Sequence, residues 1–107
     1  MSELEQPEIL ETLRQAFARL LGDQIESVLL YGSRARGDHR PDSDIDLLVV
    51  MRDAFDYGAL IERTSEVVST LSLENDVVIS RAFVSKERFE REQSPFLLNV
   101  RREGIAL

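Results

Sequence analysis

The sequence predicts a small α/β domain with the element order α, β, β, α, β, α, α, and three observations carry that expectation. Amphipathic stretches with helical apolar spacing alternate with short runs of β-branched and bulky apolar residues. Glycine, proline and small polar residues punctuate the joins between them. A length of 107 residues provides for one compact core and not for two, so residues 1–107 are expected to form a single domain.

From Pro7 to Leu21 the apolar positions Leu10, Leu13, Phe17, Leu20 and Leu21 recur at helical spacing, with proline suited to a first turn and Gly22 to a stop. Ile25 to Tyr31 reads as a buried strand ending at Gly32. Ser33 to Ser43 is rich in turn and capping residues, and a short helical turn directly after Gly32 is compatible with it. Asp44 to Met51 alternates at first and then runs continuously apolar, as expected of a central strand covered on both faces. Asp56 can cap a helix with Leu60, Ile61, Val67, Val68 and Leu71 on its inner face, ending before Glu74-Asn75. A third strand is expected over Asp76 to Val84, then a short helix near Lys86 to Glu92. Ser94-Pro95 supplies the cap and first turn of a last helix to Glu103, stopped by Gly104. Leu97, Leu98 and Val100, with Ile105 and Leu107, read as core packing.

Composition narrows the function. Without cysteine there are no disulfides, thiolate zinc sites or thiol nucleophiles. The acidic start lacks the basic end and apolar run of a signal peptide, and no apolar stretch approaches the ~20 residues of a membrane span, so a cytoplasmic protein with no membrane partner is expected. A net charge of −7 argues against long nucleic acid as a ligand, because such binding needs a broad positive field. The charge is uneven, however. Arg34, Arg36 and Arg40 share one short segment that can hold a small anion.

The chemistry concentrates in that segment. Gly32-Ser33 is followed, after ten residues, by Asp44-Ile45-Asp46. Residues two apart on a strand point the same way, so the two carboxylates share a face about 6.5 to 7 Å apart along the backbone. Oxygen ligands without histidine or cysteine favour Mg²⁺, and two such ions about 3.5 to 4 Å apart suit in-line phosphoryl chemistry. Asp76, if strand pairing brings it beside the pair, would ligate one metal and accept a proton from an attacking hydroxyl. Glycine lets backbone amides approach a phosphate closely, and the serine amide and hydroxyl add donors. Arg34 is the arginine retained as a phosphate ligand, whereas Arg36 and Arg40 read as surface charges. The single histidine, His39, reads as an exposed loop residue and receives no role.

The run Tyr31-Gly32-Ser33-Arg34-Ala35-Arg36-Gly37-Asp38, followed by Ser43-Asp44-Ile45-Asp46-Leu47, closely resembles the signature of the minimal nucleotidyltransferases of the DNA polymerase β-like superfamily. The resemblance implies a small mixed sheet flanked by helices. It implies Gly32 and Ser33 at the β- and γ-phosphates, Asp44 and Asp46 as metal ligands, and Asp76 as the third carboxylate. Members of this size are often MntA-type antitoxins paired with a helical HEPN ribonuclease toxin, some transferring AMP from ATP to a toxin tyrosine.

The leading expectation is therefore an enzyme that transfers a nucleoside monophosphate, AMP from ATP, to a hydroxyl of a partner protein such as a HEPN toxin. Two other classes stay open. One is an antitoxin that binds its partner without catalysis. The other modifies a small molecule such as an aminoglycoside, as a homodimer.

Overall fold

The computed structural model describes residues 7–37 and 44–107, so the expected turn residues from Asp38 to Ser43, His39 and Arg40 among them, lie outside the described residues. Helix α1 spans Pro7–Leu21 and buries Leu10, Leu13, Phe17 and Leu21, as its apolar spacing requires. Gly22, at a φ of +55°, ends it in a short 3₁₀ turn, Gly22–Gln24. Strand β1 is Ile25–Tyr31, the short helix α2 is Ser33–Arg36, and strand β2 is Ile45–Met51. Helix α3 covers Tyr57–Asn75, strand β3 Ile79–Ser85, helix α4 Lys86–Arg91, helix α5 Pro95–Glu103 and strand β4 Ile105–Ala106.

Among the described residues the sheet has four strands in the order β3-β2-β1-β4. It is mixed. β1 and β2 run antiparallel with Tyr31 opposite Asp46 and Leu30 opposite Leu47. β2 and β3 run parallel with Ile45 beside Ile79 and Asp46 beside Ser80. A parallel pair needs a crossover, and α3 is that crossover. The register places the end of β1 and the start of β2 at one end of the sheet.

The period-two geometry of β2 sends its side chains to two different cores. Ile45, Leu47, Val49 and Met51 join the core formed with α1 and α3. Leu48 and Val50 join Val84, Leu97 and Val100 in a smaller core under α5. This double coverage explains why the second half of β2 is continuously apolar. Thr64, fully buried on α3, was not expected on the inner face. Its hydroxyl donates to the Leu60 carbonyl at 2.8 Å and accepts from Arg81 Nε at 2.9 Å, a polar tie between α3 and β3. Ile61 and Val67 are only partly buried, and Leu98 is exposed where core packing was expected.

β2 begins at Ile45, α3 runs on to Asn75, and two larger differences follow. β3 begins at Ile79, and Asp76 is the C-cap of α3 in the left-handed region at a φ of 50°. Aspartate is one of the few residues with a side chain that tolerates that conformation, so it ends the helix where glycine is the commoner signal. Its amide and that of Val77 both donate to the Ser72 carbonyl, while the Ser72 hydroxyl donates to the Val77 carbonyl. β4 was not expected at all. Gly104 permits it, because a Cβ there would stand 2.5 Å from the Val100 carbonyl oxygen, and the chain turns tightly off α5 to pair Ile105 with Leu30.

Leu47 is fully buried at the centre of the sheet, so Leu47→Ala is expected to lower unfolding free energy by about 2–5 kcal/mol. The same truncation at Leu73, which is 83% exposed, should change it by less than about 0.5 kcal/mol. Urea unfolding of the two variants measures the contrast.

Candidate active site

β1 delivers Tyr31 and Gly32 to the same end of the sheet at which β2 begins with Asp44, Ile45 and Asp46. Ile45 is fully buried on the α1/α3 side, which turns the flanking aspartates to the opposite face. Asp44 is exposed and Asp46 half-buried. Asp44 immediately precedes β2 and Asp46 is its second residue, so the two stand two positions apart at the entry to the strand.

Gly32 connects the strand to the phosphate-type turn. Its φ of 77° and ψ of −156° lie where residues with a Cβ are strained, and a Cβ built on it would stand 2.5 Å from Asp46 Oδ2. Two separate constraints thus demand glycine. The Gly32 carbonyl accepts from the Ala35 and Arg36 amides at 3.1 and 3.2 Å, starting α2, and Gly37 ends it in the left-handed region. Ser33 is the first residue of that turn, where helical geometry leaves the leading amides outside the internal ladder. The Asp46 carboxylate and the start of α2 are therefore immediate neighbours.

Arg34 takes a place that spacing alone did not reveal. It is 3% exposed, and its Nε donates to the Asp44 carbonyl at 3.2 Å. The guanidinium braces the entry to β2 from inside the fold. It also acts electrostatically on Asp46. Burial and then the Asp44 charge hold the Asp46 carboxyl above the usual carboxylate range, and Arg34 opposes them. Burial, followed by the Asp46 charge, likewise raises the Tyr31 phenol. Arg36 is exposed, as expected, and pairs with Glu103 of α5 at 3.3 Å.

Asp76 is not brought to this pair. It sits at the end of α3, three residues before β3, beside Ser72 and Leu73. The residue of β3 in register with Asp46 is Ser80. Among the described residues no group of three acidic, histidine or cysteine side chains gathers to hold a metal. The expectation that Asp76 opens β3 is corrected, because it caps α3 and the strand begins three residues later. Ser80 escaped the sequence reading since register is set by pairing, which no local signal records.

Beside Gly32 a cavity of about 230 Å³ opens between α2 and α5, with Tyr31 and Phe96 on one wall. A larger groove of about 350 Å³ lies between α1 and α3, on the other side of the sheet, lined by Leu20, Arg63 and Val67.

Comparison with known proteins agrees with the fold. A family model described as a nucleotidyltransferase domain matches residues 10–102. Two proteins of Methanocaldococcus jannaschii are similar. "Putative protein adenylyltransferase MJ0141" is 31% identical over 81 residues, 74% of this chain and 79% of that protein. "Putative protein adenylyltransferase MJ0604" is 36% identical over 85 residues, 78% and 79% of the two chains. A solved structure described as a "putative minimal nucleotidyltransferase" superposes with a TM-score of 0.61 at 29% identity, covering 99% of this chain and 97% of that one. A toxin–antitoxin structure with AMP-PNP shares the fold, with a TM-score of 0.59 at 20% identity over 94% and 71% of the two chains.

Gly32→Ala is expected to lower stability by more than about 1 kcal/mol, since it combines a positive φ with a clash against Asp46. The pH dependence of Asp46 has a definite sign. A carboxyl raised on folding favours the fold while protonated, and that contribution is lost as pH rises through its folded pKa. In metal-free buffer Asp46→Asn should therefore raise the melting temperature at pH 7. The gain should fade as pH falls towards the ordinary aspartate value of about 3.9. Thermal melts of both variants across pH provide the measurement.

Proposed function

The chain belongs to the nucleotidyltransferase domain family, and we propose that it transfers AMP from ATP to a hydroxyl of a partner protein. The observation that carries this reading is the contact of the Asp46 carboxylate with Gly32, which makes the acidic end of β2 and the start of α2 one site. The donor set there fits Mg²⁺: burial and then the Asp44 charge raise the Asp46 carboxyl, and a hard divalent cation would relieve both. Asp44 and Asp46 would hold Mg²⁺, in the two-ion arrangement expected of phosphoryl transfer. That metal supplies charge neutralisation at the phosphate oxygens.

In this reading Gly32 admits the phosphates close to the backbone, and the amide and hydroxyl of Ser33 bind the β- and γ-phosphates. Arg34 acts on them from behind, by fixing the backbone at Asp44. The acceptor oxygen forms a bond to the α-phosphorus as the bond to the pyrophosphate oxygen breaks. The acceptor proton is released to solvent, which reaches the site at the exposed Asp44. Asp76 is left out of this assignment.

A protein acceptor is supported by the names of the two M. jannaschii relatives, and a toxin partner by the fold shared with the toxin–antitoxin structure. A HEPN-type toxin, one domain over the whole chain and a cytoplasmic setting complete the proposal. No helix among the described residues is long and apolar enough to cross a membrane. One observation favours a second reading. The absence of a third carboxylate beside Asp46 among the described residues suits an antitoxin that binds its toxin without modifying it.

The two readings part in one assay. The purified chain is incubated with the protein encoded beside it, Mg²⁺ and ATP labelled at the α-phosphorus. Transfer predicts covalent label on the partner, reduced about 100-fold or more in Asp44→Asn and in Asp46→Asn while partner binding survives. Tight binding without label from any nucleotide would establish the non-catalytic reading, and label undiminished in both variants would remove the metal assignment.

A further inference from the structure

We infer that Leu73 and Val78 form the docking surface for the acceptor protein, an inference that rests on the AMP-transfer reading and adds the side from which the acceptor approaches. Position comes first. Across this end of the sheet, Gly32 and Ser33 lie on the β1 side, Asp44 and Asp46 stand at the entry to β2, and the chain leading into β3 lies beyond them. The Ile45 amide donates to the Val78 carbonyl at 2.8 Å, one residue before Ile79 pairs with Ile45, so Val78 stands beside Asp44. Val77 and Ile79 are buried in the α1/α3 core, and the alternation of an extended chain turns Val78 to the opposite face, that of the carboxylates. In an in-line displacement the attacking and leaving oxygens stand on opposite sides of the phosphorus. With the β- and γ-phosphates at Gly32 and Ser33, pyrophosphate leaves on the β1 side and the acceptor hydroxyl enters over Val78.

The surface on that side has the chemistry of a protein contact. Leu73 is 83% exposed and Val78 57%. A single apolar side chain on a surface is ordinary, but these two border one hollow of about 240 Å³, with Ser72, Asp76 and Val77. The hollow is smaller than the ~300–1,000 Å³ of pockets that enclose a whole drug-sized ligand, so it suits one side chain of a larger partner. Glu74 and Asp76, both exposed, set acidic groups beside it. On a chain of net charge −7 they favour a basic partner and disfavour an acidic one. The acceptor segment that fits carries an apolar residue and a lysine or arginine close to the hydroxyl it presents.

The turn that carries this surface is set in advance. The Asp76 and Val77 amides both donate to the Ser72 carbonyl, and the Ser72 hydroxyl donates to the Val77 carbonyl. Val77 is buried and Val78 is bonded to the start of β2, so the hollow is anchored to the helix on one side and to the sheet on the other. A contact surface fixed beforehand loses little freedom when a partner seats on it.

Leu73 and Val78 are exposed, so Leu73→Lys and Val78→Lys should leave the fold intact, which circular dichroism checks. Transfer of label from ATP is then followed against the concentration of the protein encoded beside this chain, and binding of ATP with Mg²⁺ is measured by calorimetry. The docking surface predicts that each variant raises the KM for the acceptor protein about tenfold or more, with kcat and ATP affinity within about twofold. Glu66→Lys, an equal or larger change of charge in the groove between α1 and α3, should leave that KM unchanged. An unchanged KM in both variants, an ATP affinity that falls as far as the KM rises, or an equal rise in Glu66→Lys would overturn the docking surface while leaving AMP transfer standing. Absence of label from the unmodified chain would overturn the transfer reading, and the docking surface with it.

Discussion

The close approach of the Asp46 carboxylate to the Cα of Gly32 governs the whole carboxylate end of this protein. A side chain at residue 32 would occupy the space that Oδ2 fills, and the positive φ there turns the chain from β1 directly into α2. Strand pairing makes the contact unavoidable. With Tyr31 opposite Asp46, the residue after Tyr31 must leave the sheet next to that carboxylate. The same contact buries Asp46 enough to raise its pKa, so the geometry that brings acid and turn together also builds in a charge that a cation relieves.

Rigidity behind that contact comes from β2. Its alternate residues are anchored in separate cores, one against α1 and α3 and the other under α5, so a slip by one residue would turn Asp46 into the α1/α3 core. Arg34 extends this anchoring to the strand's entry, where a buried guanidinium holds the Asp44 carbonyl. The Arg34 charge offsets part of the burial and of the Asp44 charge that raise the Asp46 carboxyl.

Much of this was legible in the sequence where the determinants are local. α1, β1 and α5 begin and end at Pro7–Leu21, Ile25–Tyr31 and Pro95–Glu103, as their spacing, Pro95 and the Ser94 cap indicate. The turn at Gly32 after β1 was legible for the same reason. What escaped depends on distant partners. Asp76 followed by two valines looks like a strand entrance, yet three hydrogen bonds around Ser72 make it a helix terminus. Ser80 beside Asp46 is a matter of register, the burial of Arg34 a matter of packing, and β4 is two residues long, too short to leave a pattern.

That short strand has a mechanical consequence. Ile105 and Ala106 pair with Leu30 and Leu29, and Leu107 adds one amide bond to Val28 at 2.9 Å, so the last turn of α5 is fastened to the sheet by very few bonds. Such a segment opens locally at far lower cost than the whole domain unfolds. Because Gly104 joins it directly to α5, and Ile105 and Leu107 pack against the α1/α3 core, its opening would loosen both the end of α5 and the edge of that core. Loss of the β4 pairing would uncover the edge of β1 at Leu29 and Leu30, the strand edge it now covers.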